Sequence, residues 1–335
     1  MKHKQAYYIR QYSFEDYRHG GVGYADAETI LSQEGYHSLE LPGRTSGGFF
    51  SFFQRLLYIV MAALRVKRGE KVVFMFPVYA RMNRWLIMLL RMRGARLICY
   101  IGDIDGLKDH DKNVLEKEIA FFRKFNYFIV HNAAMAEWLR QQIGERTIGK
   151  IDFFDFLVPP VSIPRKPARE VVFAGNLAIR KFYWQLGKVN DVVFHVMGAE
   201  AEQGKIKVPG VQWHPLVFPR ELPARLPGSF GLLWDGDAVE ELRGPLGNYF
   251  RYITSHKLSL YILAGMPVIV AEEAATAALV KEYNIGIAVP GLVDLAGRID
   301  AITPEQYQVM RENLKPLAER ISKGLCLRDA LGKCE

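Results

Sequence analysis

The sequence predicts an α/β protein built from two doubly wound, Rossmann-like halves that face a cleft, and three observations predict it. Short β-branched and aromatic runs alternate with amphipathic helical stretches along the chain, a pattern that right-handed crossovers turn into parallel sheets. Four prolines crowd Val158–Pro167 and interrupt this alternation once, near the middle. The 335 residues are 50% hydrophobic and 24% charged, which supplies apolar material for two cores of roughly 150 residues each.

In chain order, strands are expected at 6–10, 38–41, 71–76, 96–101, 127–131 and 150–154, where Val, Ile, Phe and Tyr cluster. Between them helical periodicity runs over 25–34, 49–66, 82–93, 113–125 and 133–143, and Gly35, Gly94 and Gly144 sit where C-terminal caps belong. After the proline-rich segment, strands are expected at 170–174, 192–197, 211–213, 230–234, 267–270 and 286–289, with helix from Thr303 to Leu325. The domain reading is therefore 1–160, 168–312, and a helical tail at 313–335 able to pack back across the cleft.

The formal charge is +8, and it is unevenly placed. Residues 1–165 hold 24 basic and 17 acidic side chains, and the segment from Arg55 to Arg96 alone carries ten cations against the single acid Glu70. That segment also presents Phe49, Phe50, Phe52, Phe53, Leu56, Leu57 and Tyr58, a combination suited to an anionic membrane surface, with solvated arginines over an ordinary core as the plain alternative. No helix-turn-helix, zinc-finger or RNP signature accompanies the charge, so nucleic acid is not expected as a partner. Three unpaired cysteines and no signal-peptide pattern point to a cytoplasmic protein, peripheral on the inner face of the membrane if the basic segment binds there. A homo-oligomer stays open.

The chemistry concentrates at Asn248–Val270. Thr254 or Ser255 can cap a helix whose first turn carries His256 and Lys257, and free backbone N–H groups beside a cation make a diphosphate site. Tyr249 and Tyr252, three apart on the approach, are placed either to face a base or sugar ring or, as aromatics at that spacing more often do, to pack in the core, and Ser259 lies one turn further on. Phe173-Ala-Gly-Asn-Leu177 ends a strand in a polar turn, after which Arg180 and Lys181 near a helix start call for an anion; Asn176 and Arg180 are expected to touch it. Leu232-Leu-Trp-Asp-Gly236 delivers Asp235 to a strand's C-terminal edge, able to accept a hydroxyl or to form a tight turn.

Ser255–Val270, Phe173–Leu177, Leu232–Gly236 and Ile129-Val-His-Asn-Ala-Ala-Met135 together resemble GT-B glycosyltransferases, more narrowly bacterial β-1,6-galactofuranosyltransferases and related glucosyltransferases of surface-glycan assembly. The match covers most of the chain. The resemblance implies a GT-B fold, a UDP-sugar donor on the C-terminal half, a saccharide acceptor, lipid-linked if the membrane reading holds, on the N-terminal half, and neither an obligatory metal nor a resident cofactor. In that frame Arg18-His-Gly-Gly-Val-Gly-Tyr24 lies opposite the donor, so His19, Gly20, Gly21 and Gly23 are acceptor or diphosphate contacts. Asp103, at the end of the strand closing on Tyr100-Ile-Gly-Asp, is the first choice for the base that takes the acceptor proton, with His19, Asp16 and Asp26 in reserve. Related sequences carry His-Asp-Ile where this chain has Gly102-Asp103-Ile104. Glu273 and Glu282 miss the Glu-x7-Glu spacing of many retaining enzymes, which points to inversion. The competing reading is a non-catalytic nucleotide-binding α/β protein; a dinucleotide oxidoreductase would need a G-x-G-x-x-G after the first strand, which is missing.

Overall fold

The computed structural model describes residues 5–10, 21–40, 49–78, 80–175, 177, 182–198 and 207–334. The first half contributes β1 Ala6–Ile9, α1 Val22–Gln33, β2 Tyr36–Leu39, α2 Phe49–Arg65, β3 Lys71–Phe76, α3 Arg81–Met92, β4 Arg96–Ile101, α4 Asp105–Lys108, α5 Lys112–Phe122, β5 Tyr127–Val130, α6 Ala133–Ile143 and β6 Thr147–Lys150. The second contributes β7 Glu170–Ala174, β8 Val193–Met197, β9 Val211–His214, α7 Leu222–Arg225, β10 Phe230–Leu233, α8 Gly244–Tyr249, α9 His256–Leu263, β11 Val268–Ala271, α10 Thr276–Glu282, β12 Gly286–Val289, α11 Leu295–Asp300, α12 Pro304–Ser322 and α13 Leu325–Gly332.

Two six-stranded sheets result, ordered β2-β1-β3-β4-β5-β6 and β12-β11-β10-β7-β8-β9, and every pairing is parallel. Their strands read as near-continuous apolar runs because helices cover both faces. Local chemistry sets the helix ends. Asp111 accepts from the backbone N–H of Asn113 and Val114 at α5, Asn132 accepts from Met135 at α6, and Thr303 with Gln306 forms a capping box at α12. Gly35, Gly94 and Gly144 take φ of 78–80°, the left-handed turn expected of them.

The strand expected at 150–154 is displaced. Residues 147–150 pair with β5 instead, because Asp152 adopts φ 55° and turns the chain out of the sheet toward the second half. From there 159–169 runs without regular structure, as four prolines require. The C-terminal tail returns to the first half. Its α13 lies against β6 so closely that a Cβ on Gly149 would sit 2.2 Å from the Ala330 carbonyl oxygen, and Arg96 donates to the Cys334 carbonyl at 2.6 Å. Asp155 accepts from the N–H of Cys326 and Leu327, fixing the start of α13, and one apolar core runs continuously from α1 through the tail into the second sheet. Cys99, Cys326 and Cys334 are buried free thiols. Among the described residues no helix is long and apolar enough to cross a membrane.

Candidate active site

All strands being parallel, each sheet offers its C-terminal edge to the same crevice, where open α/β sheets bind ligands. A cavity of about 410 Å³ lies there, lined by both halves. The first half contributes Gly23 and Tyr24 of α1, Gly102 and Asp103 beyond β4, Lys108, and His131 beyond β5. The second contributes Gly175 beyond β7, Asp235 beyond β10, Tyr249 and Phe250 at the end of α8, and Ile253 to Lys257 leading into α9.

Asp103 is held from both sides. Tyr249 donates its hydroxyl to Oδ1 at 3.0 Å and Lys108 meets Oδ2 at 3.0 Å, while the side chain stays about one-third exposed to the cavity. The Tyr249 hydroxyl also accepts from the Ile104 N–H at 2.9 Å. Burial, followed by the Asp103 charge, pushes that phenol well above its ordinary range, so it remains a donor. Beneath this loop the Glu118 carboxylate accepts from the N–H of Asp105 and Gly106, and burial raises it to about 7.

The floor is a seam of polar contacts between the halves. His131 is 2% exposed; its Nδ1 accepts from the Thr254 N–H at 3.3 Å, and Asn132 donates to the Thr254 hydroxyl at 3.0 Å. Burial lowers the His131 pKa to about 4, against a smaller opposing pull from Asp103, so the ring is neutral at pH 7. His256 packs between Phe154 and Phe156, faces Gly23 closely enough that a Cβ there would lie 3.2 Å from its Cδ2, and is likewise lowered to about 4 by burial, with Asp26 pulling the other way. Among the described residues its buried Nε2 has no hydrogen-bond partner.

At the helix start Ser255 accepts from the Lys257 N–H at 3.3 Å, and the Lys257 ammonium lies 5.1 Å from the Phe173 ring centroid and 5.8 Å from that of Phe250. The two rings give the cation an aromatic floor. Asp235 is 1% exposed, its Oδ1 accepts from Gly236 N–H at 2.9 Å, and Gly236 takes φ 102°; the carboxylate thus forms the tight turn while still reaching the cavity wall.

Asp103, Asp235, Ser255, His256, Lys257 and Gly23 of the expected site residues therefore meet at one cavity, and Gly21 precedes α1 just outside its lining. Three expectations are corrected. Tyr249 reaches the cavity but is buried, and its hydroxyl bridges Asp103 and Ile104, so its role is to tie the halves rather than to offer a ring face. Tyr252 packs against Trp138 and does not line the cavity, because the turn that follows α8 carries it toward α6. Ser259 is fully buried and donates to the Phe154 carbonyl at 2.6 Å. Asp26, held in reserve, accepts from the Leu157 N–H and from Arg220, so both oxygens are engaged in joining the halves. Asp16, His19, Gly20, Asn176, Arg180 and Lys181 lie outside the described residues. Sequence reading missed Lys108, five residues beyond Asp103, and gave no role to His131, whose place at the end of β5 was the available signal.

Residues 6–147 match the family described as glucosyltransferase 3-like, N-terminal domain, and residues 171–334 match its C-terminal domain. The chain is 30% identical over 273 residues to the β-1,6-galactofuranosyltransferase WbbI of Escherichia coli, covering 79% of each, and 25% identical to glucosyltransferase 3 of Streptococcus gordonii, covering 82% of this chain and 81% of that one. Among solved structures it resembles WaaG, a glycosyltransferase involved in lipopolysaccharide biosynthesis, with TM-score 0.51 at 11% identity over 97% of this chain and 99% of that chain. It also resembles TarM, with TM-score 0.54 at 13% identity over 83% of this chain and 57% of that longer one. These likenesses decide between the enzyme and the binding-only reading. With its two parallel sheets closing on one cleft, the chain is a GT-B glycosyltransferase and belongs to the glucosyltransferase 3-like family.

Proposed function

We propose that the protein moves a hexosyl unit, galactofuranosyl or glucosyl, from a UDP-sugar to a saccharide acceptor in surface polysaccharide or glycoconjugate assembly, with inversion and without a metal ion. The observation that carries this is the convergence of Asp103 and Lys257, from opposite sheets, on one cavity. Donor chemistry is supported by relatives named for galactofuranosyl and glucosyl transfer, and by a TarM structure solved with UDP.

In this reading residues 1–160 carry the acceptor, 168–312 the donor, and the tail at 313–335 ties the halves. The diphosphate sits at the start of α9, where the positive end of the helix dipole and Lys257 meet its charge. Asn176, Arg180 and Lys181, by sequence just beyond Gly175, would add donor contacts, and His19, Gly20, Gly21 and Gly23 would border the acceptor or the β-phosphate. Asp235 accepts a donor hydroxyl. Asp103 removes the proton of the attacking acceptor hydroxyl while that oxygen bonds to the anomeric carbon. The bond from the anomeric carbon to the diphosphate oxygen breaks, and its electron pair leaves with UDP. Tyr249 and Lys108 keep the carboxylate aimed, and the two neutral histidines add no competing charge. Because Lys257 and the helix N–H groups offset the charge on the departing UDP, transfer is expected to persist in EDTA.

The test is Lys257→Ala. Transfer should fall about 100- to 1,000-fold, as for loss of one preorganised donor to a developing charge, and stabilisation of the protein by UDP should disappear while its own melting temperature stays put. Full activity in this variant would overturn the assignment.

A further inference from the structure

The helices on one flank of the N-terminal half carry a surface that the transfer chemistry does not use. On α2 the apolar side chains of Phe53, Leu57, Val60, Met61 and Leu64 are exposed, at spacings that put them on one face, while Ile59, Ala62, Ala63 and Val66 fill the core on the other. Leu57 is 62% exposed and Leu64 59%. Neighbouring α3 repeats the arrangement with Trp85 and with Met92, 79% exposed, above buried Leu86, Ile87 and Leu90. The side chains of Phe49, Phe50 and Phe52, part of the face expected from sequence, lie outside the described residues, and Leu56 and Tyr58 turn partly inward.

Around this apolar strip Arg65, Lys67, Arg68, Arg81, Arg84, Arg91 and Arg93 are exposed, and among the described residues none of them takes part in an ion pair. The one acid of the segment, Glu70, is buried and accepts from the Lys67 backbone N–H. The strip is therefore a row of aliphatic and aromatic side chains in an uncompensated positive field. A second copy of the chain would bring two such fields face to face in a symmetric dimer. A nucleic acid would satisfy the charge but leave the aliphatic row in water. A surface with anionic headgroups over an apolar layer satisfies both.

The geometry points to an anionic bilayer as the occupant: we propose that the α2–α3 face docks on acidic lipid, with Leu57, Leu64, Trp85 and Met92 reaching below the headgroups and the arginines among them. Both helices begin at the C-terminal edge of the first sheet, the edge that forms the cleft, so docking would bring the cavity mouth alongside the membrane surface. If the transferase reading above is right, an acceptor carried on a lipid would meet the cleft there; binding to the bilayer itself does not depend on that reading.

The experiment is sedimentation of the full chain with phosphatidylcholine vesicles, with and without phosphatidylglycerol, at low and at high salt. Binding is expected only with the anionic lipid, weakened by salt, with Trp85 emission quenched by brominated acyl chains and that quenching lost in Trp85→Phe. Leu57→Glu with Leu64→Glu, and separately Arg81→Glu with Arg93→Glu, should each reduce vesicle binding about tenfold or more while leaving transfer to a water-soluble acceptor unchanged. No binding to anionic vesicles, or equal binding to neutral ones, would overturn the proposal. So would tighter binding to duplex DNA than to vesicles, or a dimer in solution that the Leu57→Glu, Leu64→Glu variant dissolves.

Discussion

Replacing Tyr249 by Phe removes one oxygen and leaves the ring in place, which isolates what that hydroxyl does. It is 2% exposed, donates to Asp103 at 3.0 Å and accepts from the Ile104 N–H at 2.9 Å, so the variant loses a hydrogen bond to a charged group and leaves a buried N–H without an acceptor. Together these cost about 2–4 kcal/mol. In a chain of this size that should lower the melting temperature by roughly 3–6 °C. If Asp103 is the base, freeing one of its two anchors also costs rate: kcat should fall about 10- to 100-fold, with the donor KM nearly constant because α9 and Lys257 are untouched. The assay is initial-rate transfer alongside thermal unfolding of the same preparation. A lower melting temperature with kcat within twofold of the wild type would refute a role for Asp103 in the chemistry and reduce Tyr249 to a clasp between the halves.

Asp103→Asn keeps the size and removes the base; turnover should drop about 100- to 10,000-fold while calorimetry finds UDP affinity within a few-fold, and retained turnover would move the base elsewhere. The histidines predict an acid-sensitive seam. His131 is lowered from 6.5 to about 4, so the folded state resists its protonation, and the stability it allows is full above pH 6.5 and lost as pH falls toward 4, by about 3 kcal/mol. Glu118, raised to about 7, and Asp155, raised to about 6, titrate with the opposite sign, favouring the folded state as pH falls. The measurement is therefore denaturant unfolding of wild type against His131→Asn between pH 7 and 4. The difference between them should shrink on acidification, and a constant difference would contradict the buried, neutral ring.

Much of this architecture was legible because parallel sheets write themselves plainly: Lys71-Val-Val-Phe-Met-Phe76 and Glu170-Val-Val-Phe-Ala174 cannot be amphipathic, and the glycines after the helices take the φ that only their position demands. The start of α9 was legible for the same reason, since Ser255 before His256 and Lys257 is a local signal that needs no partner. The strand at 147–150 was not, because Thr147-Ile-Gly-Lys150 carries a single large apolar side chain while Ile151, Phe153 and Phe154 just beyond it look more strand-like, and only pairing with β5 and the turn at Asp152 choose between them. Tyr249, Tyr252 and Ser259 were misread together. Their spacing says they lie close along the chain but not that the β4–α4 loop, α6 and the Phe154 segment stand around them, and those neighbours decide which hydroxyl is already bonded. Lys108 escaped notice because its meaning is its 3.0 Å contact with Asp103, which no spacing rule states.

The central claim, that the cleft passes a hexosyl unit from UDP to a sugar hydroxyl with inversion, is tested most directly by product analysis. The protein is incubated in EDTA with a panel of α-linked UDP-hexoses, UDP-galactofuranose and UDP-glucose among them, and saccharide acceptors, and the product's anomeric configuration is read by NMR. The account predicts a β-linked product and free UDP, formed without a divalent ion and abolished in Asp103→Asn. An α-linked product, or turnover only when a metal is restored, would contradict it.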